Sequence, residues 1–348
     1  VSVVTPIDPV GPVGLPASGR SFRAWVTVAS DLVKARLTLM VVLTTWMGFS
    51  LGSSPGSDGW TCLHAIIGTS LLAAGASALN QWWERDLDAL MKRTASRPIP
   101  AGILPPLFVL AFGVAVSVLG LAWLVRSVNL LTAFLGAATL AIYVFVYTPL
   151  KTTTELNTWV GAIPGALPPL MGWTAATGEL GAGGWALFAI LFFWQLPHFM
   201  AIAWLYRDEY AKAGFRMLSG GDPDGRRSAS SAIRNSIALL FASVVPFLQG
   251  ISGRAYLSVA LVMGGLFLVQ AIRFALLLDT HSARRLFFAS IFYLPVLLAV
   301  LVLDRTIMDR SKEVPSKSSF LRGSSTISVP RPGAFVFNRR FRLPGDGA

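Results

Sequence analysis

Nine stretches of roughly twenty mainly apolar residues, at 36–51, 61–82, 103–125, 129–148, 157–176, 184–206, 236–250, 257–278 and 286–303, fill most of the chain. At about 1.5 Å of rise per residue, each can cross a hydrocarbon core of about 30 Å as a helix. Lipid offers a peptide group no hydrogen bond, so a run of this kind has to satisfy its own backbone. A composition of 54% hydrophobic and 13% charged residues excludes an ordinary soluble domain. The predicted fold class is all-α: a polytopic integral membrane bundle of about nine transmembrane helices. The least regular stretch is 157–176, which carries Pro164, Pro168 and Pro169.

The membrane domain is expected over 31–303. Residues 1–30 are rich in Pro, Gly and Ser and lack a basic start followed by an apolar core, so they read as a flexible arm rather than a cleavable signal. The basic stretch 304–348 reads as a disordered tail. Cys62 is the single cysteine, which excludes an internal disulfide.

Net charge +12 invites a nucleic-acid reading, but the bases lie in short loops between apolar runs. Loops after the second, fourth, sixth and eighth runs hold Arg85, Lys92, Arg93, Arg97, Lys151, Arg207, Lys212, Arg216, Arg226, Arg227, Arg284 and Arg285, whereas the opposite loops hold Arg126 and Arg254 alone. The asymmetry predicts a multi-pass protein of the cell membrane with its basic loops in the cytoplasm and no nucleic-acid partner. The tail conflicts with this orientation, and long tails obey the rule poorly.

Acids at the end of an apolar run mark a site. Asn80, Glu84 and Asp88 are four residues apart, so they line one face of a helix over two turns, whereas Asp86 falls on the other side, where pairing with a nearby base is its expected role. An amide oxygen and two carboxylates are hard ligands of the kind Mg²⁺ takes when it also binds a substrate phosphate. Lys92, Arg93 and Arg97 follow, with guanidiniums suited to phosphate oxygens. The plainer alternative is a salt-bridged helix end among lipid headgroups.

A second cluster, Arg207, Asp208, Glu209 and Lys212, ends the sixth run on the same membrane side, so the two acidic ends can face one cavity. For Arg207, Asp208 and Lys212 individually, a solvated charged face is the alternative. His198 lies within the sixth run, where an imidazole either hydrogen-bonds to its surroundings or serves as an iron ligand or proton acceptor. His64 and His281 carry no functional reading. Trp82, Trp83 and Trp204 suit the interface belt.

Three strings carry a family resemblance. They are Ala78–Asp88 with Met91–Pro98, Tyr147–Lys151 with Leu156–Trp173, and Trp194–Phe199 with Tyr206–Tyr210 and Gly214. The chain resembles the UbiA superfamily of intramembrane prenyltransferases over 31–303, and within it the branch that farnesylates haem, to which the Pro-Gly-Pro-Pro and Pro-His-Phe segments point. It departs from the usual pattern at Glu84 and Glu209, where aspartates are common, at Thr152 in place of Arg, and at Ala35 in place of Pro, while Lys34 and Arg36 are kept.

The resemblance implies a bundle around a central cavity with both acidic motifs at its cytoplasmic mouth. It implies transfer of the farnesyl group of farnesyl diphosphate to a vinyl group of haem B, with water adding to give haem O and diphosphate. The implied metal set for Mg²⁺ is Asn80, Glu84, Asp88, Asp208 and Glu209, of which Asn80, Glu84, Asp88 and Glu209 are the implied catalytic groups. Arg36, Arg93, Arg97 and Lys151 would bind diphosphate, and Tyr147, Trp194 and His198 would contact the haem or the allylic cation. Haem B is a substrate here, not a resident cofactor, and downstream partners would be haem A synthase or terminal oxidase assembly. Two rival readings are a quinone-precursor aromatic acceptor and, in a different class, a cation-coupled transporter. Arg93 and Arg97 beside the acids speak against the transporter, since a cation path has no need of them.

Overall fold

The computed structural model describes residues 21–54 and 57–313. The chain divides into a unit of residues 1–308 and a second from 309 onward; the account below concerns the first. The described residues contain α1 (Phe22–Leu32), α2 (Ala35–Gly52), α3 (Gly59–Asp88), α4 (Pro106–Ser127), α5 (Leu130–Ala141), a π-helical segment (Ile142–Tyr147), α6 (Thr148–Thr153) and α7 (Asn157–Thr177). They continue with α8 (Ala182–Leu205), α9 (Arg207–Lys212), a 3₁₀ turn (Leu218–Gly221), α10 (Arg226–Leu248), α11 (Arg254–Leu277) and α12 (Thr280–Glu313). No strand occurs among them.

Among the described residues, eight helical segments are long and apolar enough to cross a bilayer, the fourth being α5 through α6 as one continuous rod over Leu130–Thr153. The ninth expected run is α7, whose prolines and glycines lower its hydropathy but which is interior to the bundle, with Ala162, Ala166 and Leu170 fully buried. The protein is a multi-pass integral membrane bundle. Large apolar side chains such as Leu107, Phe134, Phe241 and Phe288 stay exposed on its flanks, where lipid takes the place of a protein neighbour.

Several boundaries differ from the sequence reading. Helix α1 lies within the stretch expected to be a flexible arm, because Ser21 caps it by accepting from the N–H of Ala24 and Gln81 grips its far end. Residues 1–20 of that arm lie outside the described residues. Helix α3 runs through Trp82 to Asp88, so the acidic face is continuous with the membrane span. Helix α10 begins ten residues early, its first turns being polar. Helix α12 passes the expected limit at 303, and Asp304 on it is buried and accepts from the N–H of Gly253. The remainder of the expected tail, 314–348, lies outside the described residues.

Helix α7 is packed by α2, α3, α5 and α8, and it holds the two sides of the bundle together. On one side α3 and α4 approach through Gly75 and Gly113; on the other, α8, α10, α11 and α12 share a core of Leu239, Tyr256, Phe274 and Tyr293. The α2–α7 contact leaves no room for side chains: a Cβ on Gly48 would fall 1.9 Å from the Pro169 carbonyl oxygen, and one on Gly172 would fall 1.9 Å from that of Thr45. Without a hydrophobic force between helices in lipid, such backbone proximity is how dispersion contacts are gained. Each proline in α7 removes an N–H from the helical ladder, and Gly161 and Gly165 beside them leave a notched face toward Tyr147 and Gln195.

Replacing Gly172 by Val is expected to force α2 and α7 apart and to lower stability by about 1–3 kcal/mol, read as a fall in the thermal midpoint in detergent. Gly59→Ala, where an added Cβ meets nothing within 4 Å, should leave the midpoint unchanged.

Candidate active site

The last turns of α3 bury three oxygen-bearing side chains on one face: Asn80, Glu84 and Asp88 are 0%, 3% and 1% exposed. Buried carboxylates persist only when met by cations or donors, and here each group has its own. Lys34 Nζ donates to Asn80 Oδ1 at 2.7 Å, Lys151 Nζ lies 2.6 Å from Glu84 Oε1, and Arg97 Nη1 lies 2.5 Å from Asp88 Oδ2. The three pairs climb the helix at four-residue steps.

Each cation is placed by its own local structure. Lys34 occupies the joint between α1 and α2 in a left-handed conformation, φ 48°, which costs a non-glycine residue about 1–2 kcal/mol. Gln81 secures that joint by donating from Nε2 to the carbonyls of Asp31 and Leu32 at 3.0 and 2.7 Å. Lys151 comes from α6, directly after the π-helical segment. At the start of α6, Thr148 Oγ1 donates to the carbonyl of Tyr143, five residues back in the π-helical segment, at 2.8 Å while accepting from Asn80 Nδ2 at 3.1 Å. Arg97 lies in the compact loop after α3, where Thr94 Oγ1 donates to the Asp88 carbonyl at 2.8 Å.

These groups line a polar pocket of about 130 Å³ together with Arg93, Tyr147 and Tyr210. Arg93 Nη2 donates to the Tyr210 hydroxyl at 3.3 Å, and Lys151 Nζ lies 4.6 Å from the centre of the Tyr147 ring. Four cations face two carboxylates, so the pocket favours a polyanion. Burial, with Arg97 and Lys151 beside it, lowers Lys34 to about 7, so an entering anion would restore its full charge. Burial also raises the Tyr210 hydroxyl.

Tyr147 lines a second, apolar cavity of about 240 Å³ as well. Its walls are Leu37, Val41, Leu72, Leu140 and Met171, the notched face of α7, and a few polar groups including Tyr143 and Gln195. Gln195 Nε2 donates to the carbonyls of Leu191 and Ala162 at 3.0 and 3.3 Å. The glycine beside the prolines is what admits it: a Cβ on Gly165 would fall 2.0 Å from Gln195 Oε1. A cation-lined polar chamber therefore opens beside an apolar one, with one tyrosine in the wall of both.

Of the expected site residues, Asn80, Glu84, Asp88, Arg93, Arg97, Lys151 and Tyr147 line the polar pocket. Others do not. Arg36 is exposed on the first turn of α2, and Lys34 takes the place expected for it. Asp208 is exposed and 3.8 Å from Arg207, and Glu209 lines neither cavity although its neighbour Tyr210 does. Asp86 pairs with Arg85 at 3.6 Å, as its place on the helix predicts.

His198 and Trp194 turn toward α12: His198 Nδ1 is 2.7 Å from Ser290 Oγ, and Trp194 Nε1 donates to the Ser290 carbonyl at 2.8 Å. The His198 ring lies between Trp194 and Phe287, 5.1 and 5.0 Å centre to centre, so the hydrogen-bonded alternative for this histidine describes its surroundings here. Sequence reasoning missed Lys34, Tyr143 and Gln195 as lining groups.

Among the described residues, no three His, Cys, Asp or Glu side chains stand close enough to cage a metal by themselves. The donor set that is present, two carboxylates and an amide oxygen on one face, suits Mg²⁺ that draws its other ligands from a phosphate and water.

Comparison with known proteins agrees with this architecture. The family model described as "UbiA prenyltransferase family" matches residues 41–294. A protein of Solibacter usitatus named "Protoheme IX farnesyltransferase" is 47% identical over 284 residues, covering 79% of this chain and 97% of its own. A Koribacter versatilis protein of the same name is 44% identical over 292 residues, covering 80% of this chain and 93% of its own. The solved structure of "a UbiA homolog from Archaeoglobus fulgidus bound to GPP and Mg2+" superposes with a TM-score of 0.57 at 16% identity, covering 79% of this chain and 99% of that one.

Removing one partner of a buried ion pair is more damaging than removing both. Lys151→Met is expected to destabilise the fold by about 3–5 kcal/mol, and Glu84→Gln added to it should restore most of the loss, measured as a double-mutant cycle of unfolding in detergent. By its apolar bundle, its paired chambers and these relatives, the chain belongs to the UbiA prenyltransferase family.

Proposed function

We propose that the chain transfers the farnesyl group of farnesyl diphosphate to a vinyl group of haem B, with addition of water, giving haem O and diphosphate. The observation that carries this reading is the pair of adjoining chambers sharing Tyr147, one built for a polyanion and one for an apolar chain. The acceptor is assigned from the relatives' name, protoheme IX farnesyltransferase. Relatives that nearly fill their own length with this match support a whole-protein assignment.

In this reading Asn80, Glu84 and Asp88 would hold Mg²⁺. When bound, the metal supplies positive charge against the leaving group. Lys34, Lys151 and Arg97, now held on the α3 oxygens, turn onto phosphate oxygens as the diphosphate enters, and Arg93 adds a fourth donor. The isoprenoid tail lies along Leu37, Val41, Leu72 and Met171, where water is excluded until the allylic carbon has met the vinyl group. The Tyr147 ring, at the junction, faces the developing cation, as proposed from the sequence.

Arg36, Asp208 and Glu209 are given no direct contact with the diphosphate or the metal. Trp194 and His198 brace α8 against α12. The basic loops support a polar mouth on the cytoplasmic face of the cell membrane, and haem O would pass to haem A synthase or a terminal oxidase.

Expression in a cell lacking haem O, followed by pigment extraction, tests the reaction: haem O should reappear, and its absence, or a prenylated quinone precursor in its place, would overturn the acceptor assignment. In membranes given farnesyl diphosphate, haem B and Mg²⁺, Glu84→Gln and Asp88→Asn should each lower turnover about 10²–10³-fold. Glu209→Gln should cost less than about tenfold; a loss equal to that of Glu84→Gln would return Glu209 to the metal set.

A further inference from the structure

A third cavity, of about 360 Å³, lies at the same end of the bundle and shares no lining residue with the apolar or the polar chamber. Its near wall is the first turn of α7 at Thr158 and Trp159, one turn before the Gly161, Pro164, Gly165 and Pro168 face of the apolar chamber, with Trp159 turned about 120° away from Gly165. Its polar wall is α10, where Arg226, Ser230 and Arg234 recur every four residues on one face, with Arg227 and Ser231 alongside.

The charges in this cavity do not cancel. Glu155 is its one carboxylate and is engaged by both terminal nitrogens of Arg227. Nearby Asp222 is turned away, accepting from the backbone N–H groups of Arg227 and Ser228 at 3.2 and 2.7 Å. Arg226 and Arg234 have no acidic partner among the described residues. Guanidiniums of this kind, gathered at a membrane boundary between helices, seek an anion.

The surroundings say which anion. The α10 face that carries Arg234 continues into Ile237 and Phe241, 39% and 70% exposed. Across from it, Trp159 packs against Phe192 at 6.1 Å, and Phe192 stacks on Phe188 at 5.8 Å. A soluble anion would use the arginines and leave this apolar wall idle, while a phospholipid uses both. We propose that the cavity binds the headgroup of an anionic phospholipid, its phosphate on Arg226 and Arg234 and its acyl chains along Trp159, Ile237 and Phe241. None of these residues lines the two chambers of the proposed reaction, so the proposal stands or falls apart from it.

The test is native mass spectrometry of the delipidated full chain in neutral detergent, titrated with phosphatidylglycerol or phosphatidylcholine. A juxtamembrane arginine contributes a factor of about five to anionic-lipid affinity. Phosphatidylglycerol is therefore expected to bind at least tenfold more tightly than phosphatidylcholine, and R226Q/R234Q to weaken it about 25-fold while weakening phosphatidylcholine, whose ammonium offsets its phosphate charge, by much less. Glu155→Gln frees Arg227 and should strengthen phosphatidylglycerol binding several-fold, a gain that misfolding cannot produce. Equal affinity for the two lipids, an unchanged preference in the double variant, or displacement of the lipid by inorganic diphosphate at equal concentration would overturn the assignment.

Discussion

Two carboxylates cannot be kept in the interior of a membrane bundle unless a positive charge meets each of them, and that requirement organises the polar end of this protein. Glu84 and Asp88 are buried at the end of α3, and the cations that meet them arrive from separate parts of the chain: Lys151 from α6 and Arg97 from the loop after α3. Lys34, from the joint before α2, completes the series at Asn80. The site is thus also a tertiary tie, since each pair holds a different element to α3. A ligand that competes for these cations has to replace what the fold loses when they let go, and a metal-bound diphosphate has the charges to do so.

The second requirement falls on α7. A bundle helix flanked by four others must be narrow, and a helix lining a substrate chamber must be concave. Glycine at 172 answers the first by admitting the backbone of α2, and the Gly161–Gly165 face answers the second by admitting Tyr147 and Gln195. The three prolines sit where α7 is enclosed by other helices rather than by lipid, and Gln195 adds a side-chain donor to this stretch at the Ala162 carbonyl. Low hydropathy in this helix is a consequence of its work, and it leaves the most apolar stretch of α7 less apolar than those of the other long helices among the described residues, although its length still let the sequence show it as a span.

Most of the transmembrane frame was legible from the sequence because bilayer thickness fixes the length of an apolar run, and the α3 face was legible because four-residue spacing maps directly onto one side of a helix. What escaped depends on contacts between distant residues. Arg36 and Lys34 are two residues apart and chemically alike; only the break between α1 and α2, held by Gln81, turns Lys34 inward. His198 meets Ser290 across 92 residues of chain, and no local pattern announces that partner. The glycine-rich face of α7 could be read as unusual but not as the wall of a chamber, because the residues that fill its notches come from the π-helical segment and from α8.

The π-helical segment at Ile142–Tyr147 carries a further consequence. A wider turn winds less per residue than an α-helix, so everything after it is set back by roughly one residue's rotation. Thr148 and Lys151 owe their aim to that offset. The rod from Leu130 to Thr153 therefore behaves as a key cut to a fixed phase: its lipid-facing residues can vary freely, but its residue count between Asn129 and Lys151 cannot. Variation in this protein should be permitted by substitution and refused by insertion or deletion along that rod, a signature of angular registration rather than of chemistry at any single position.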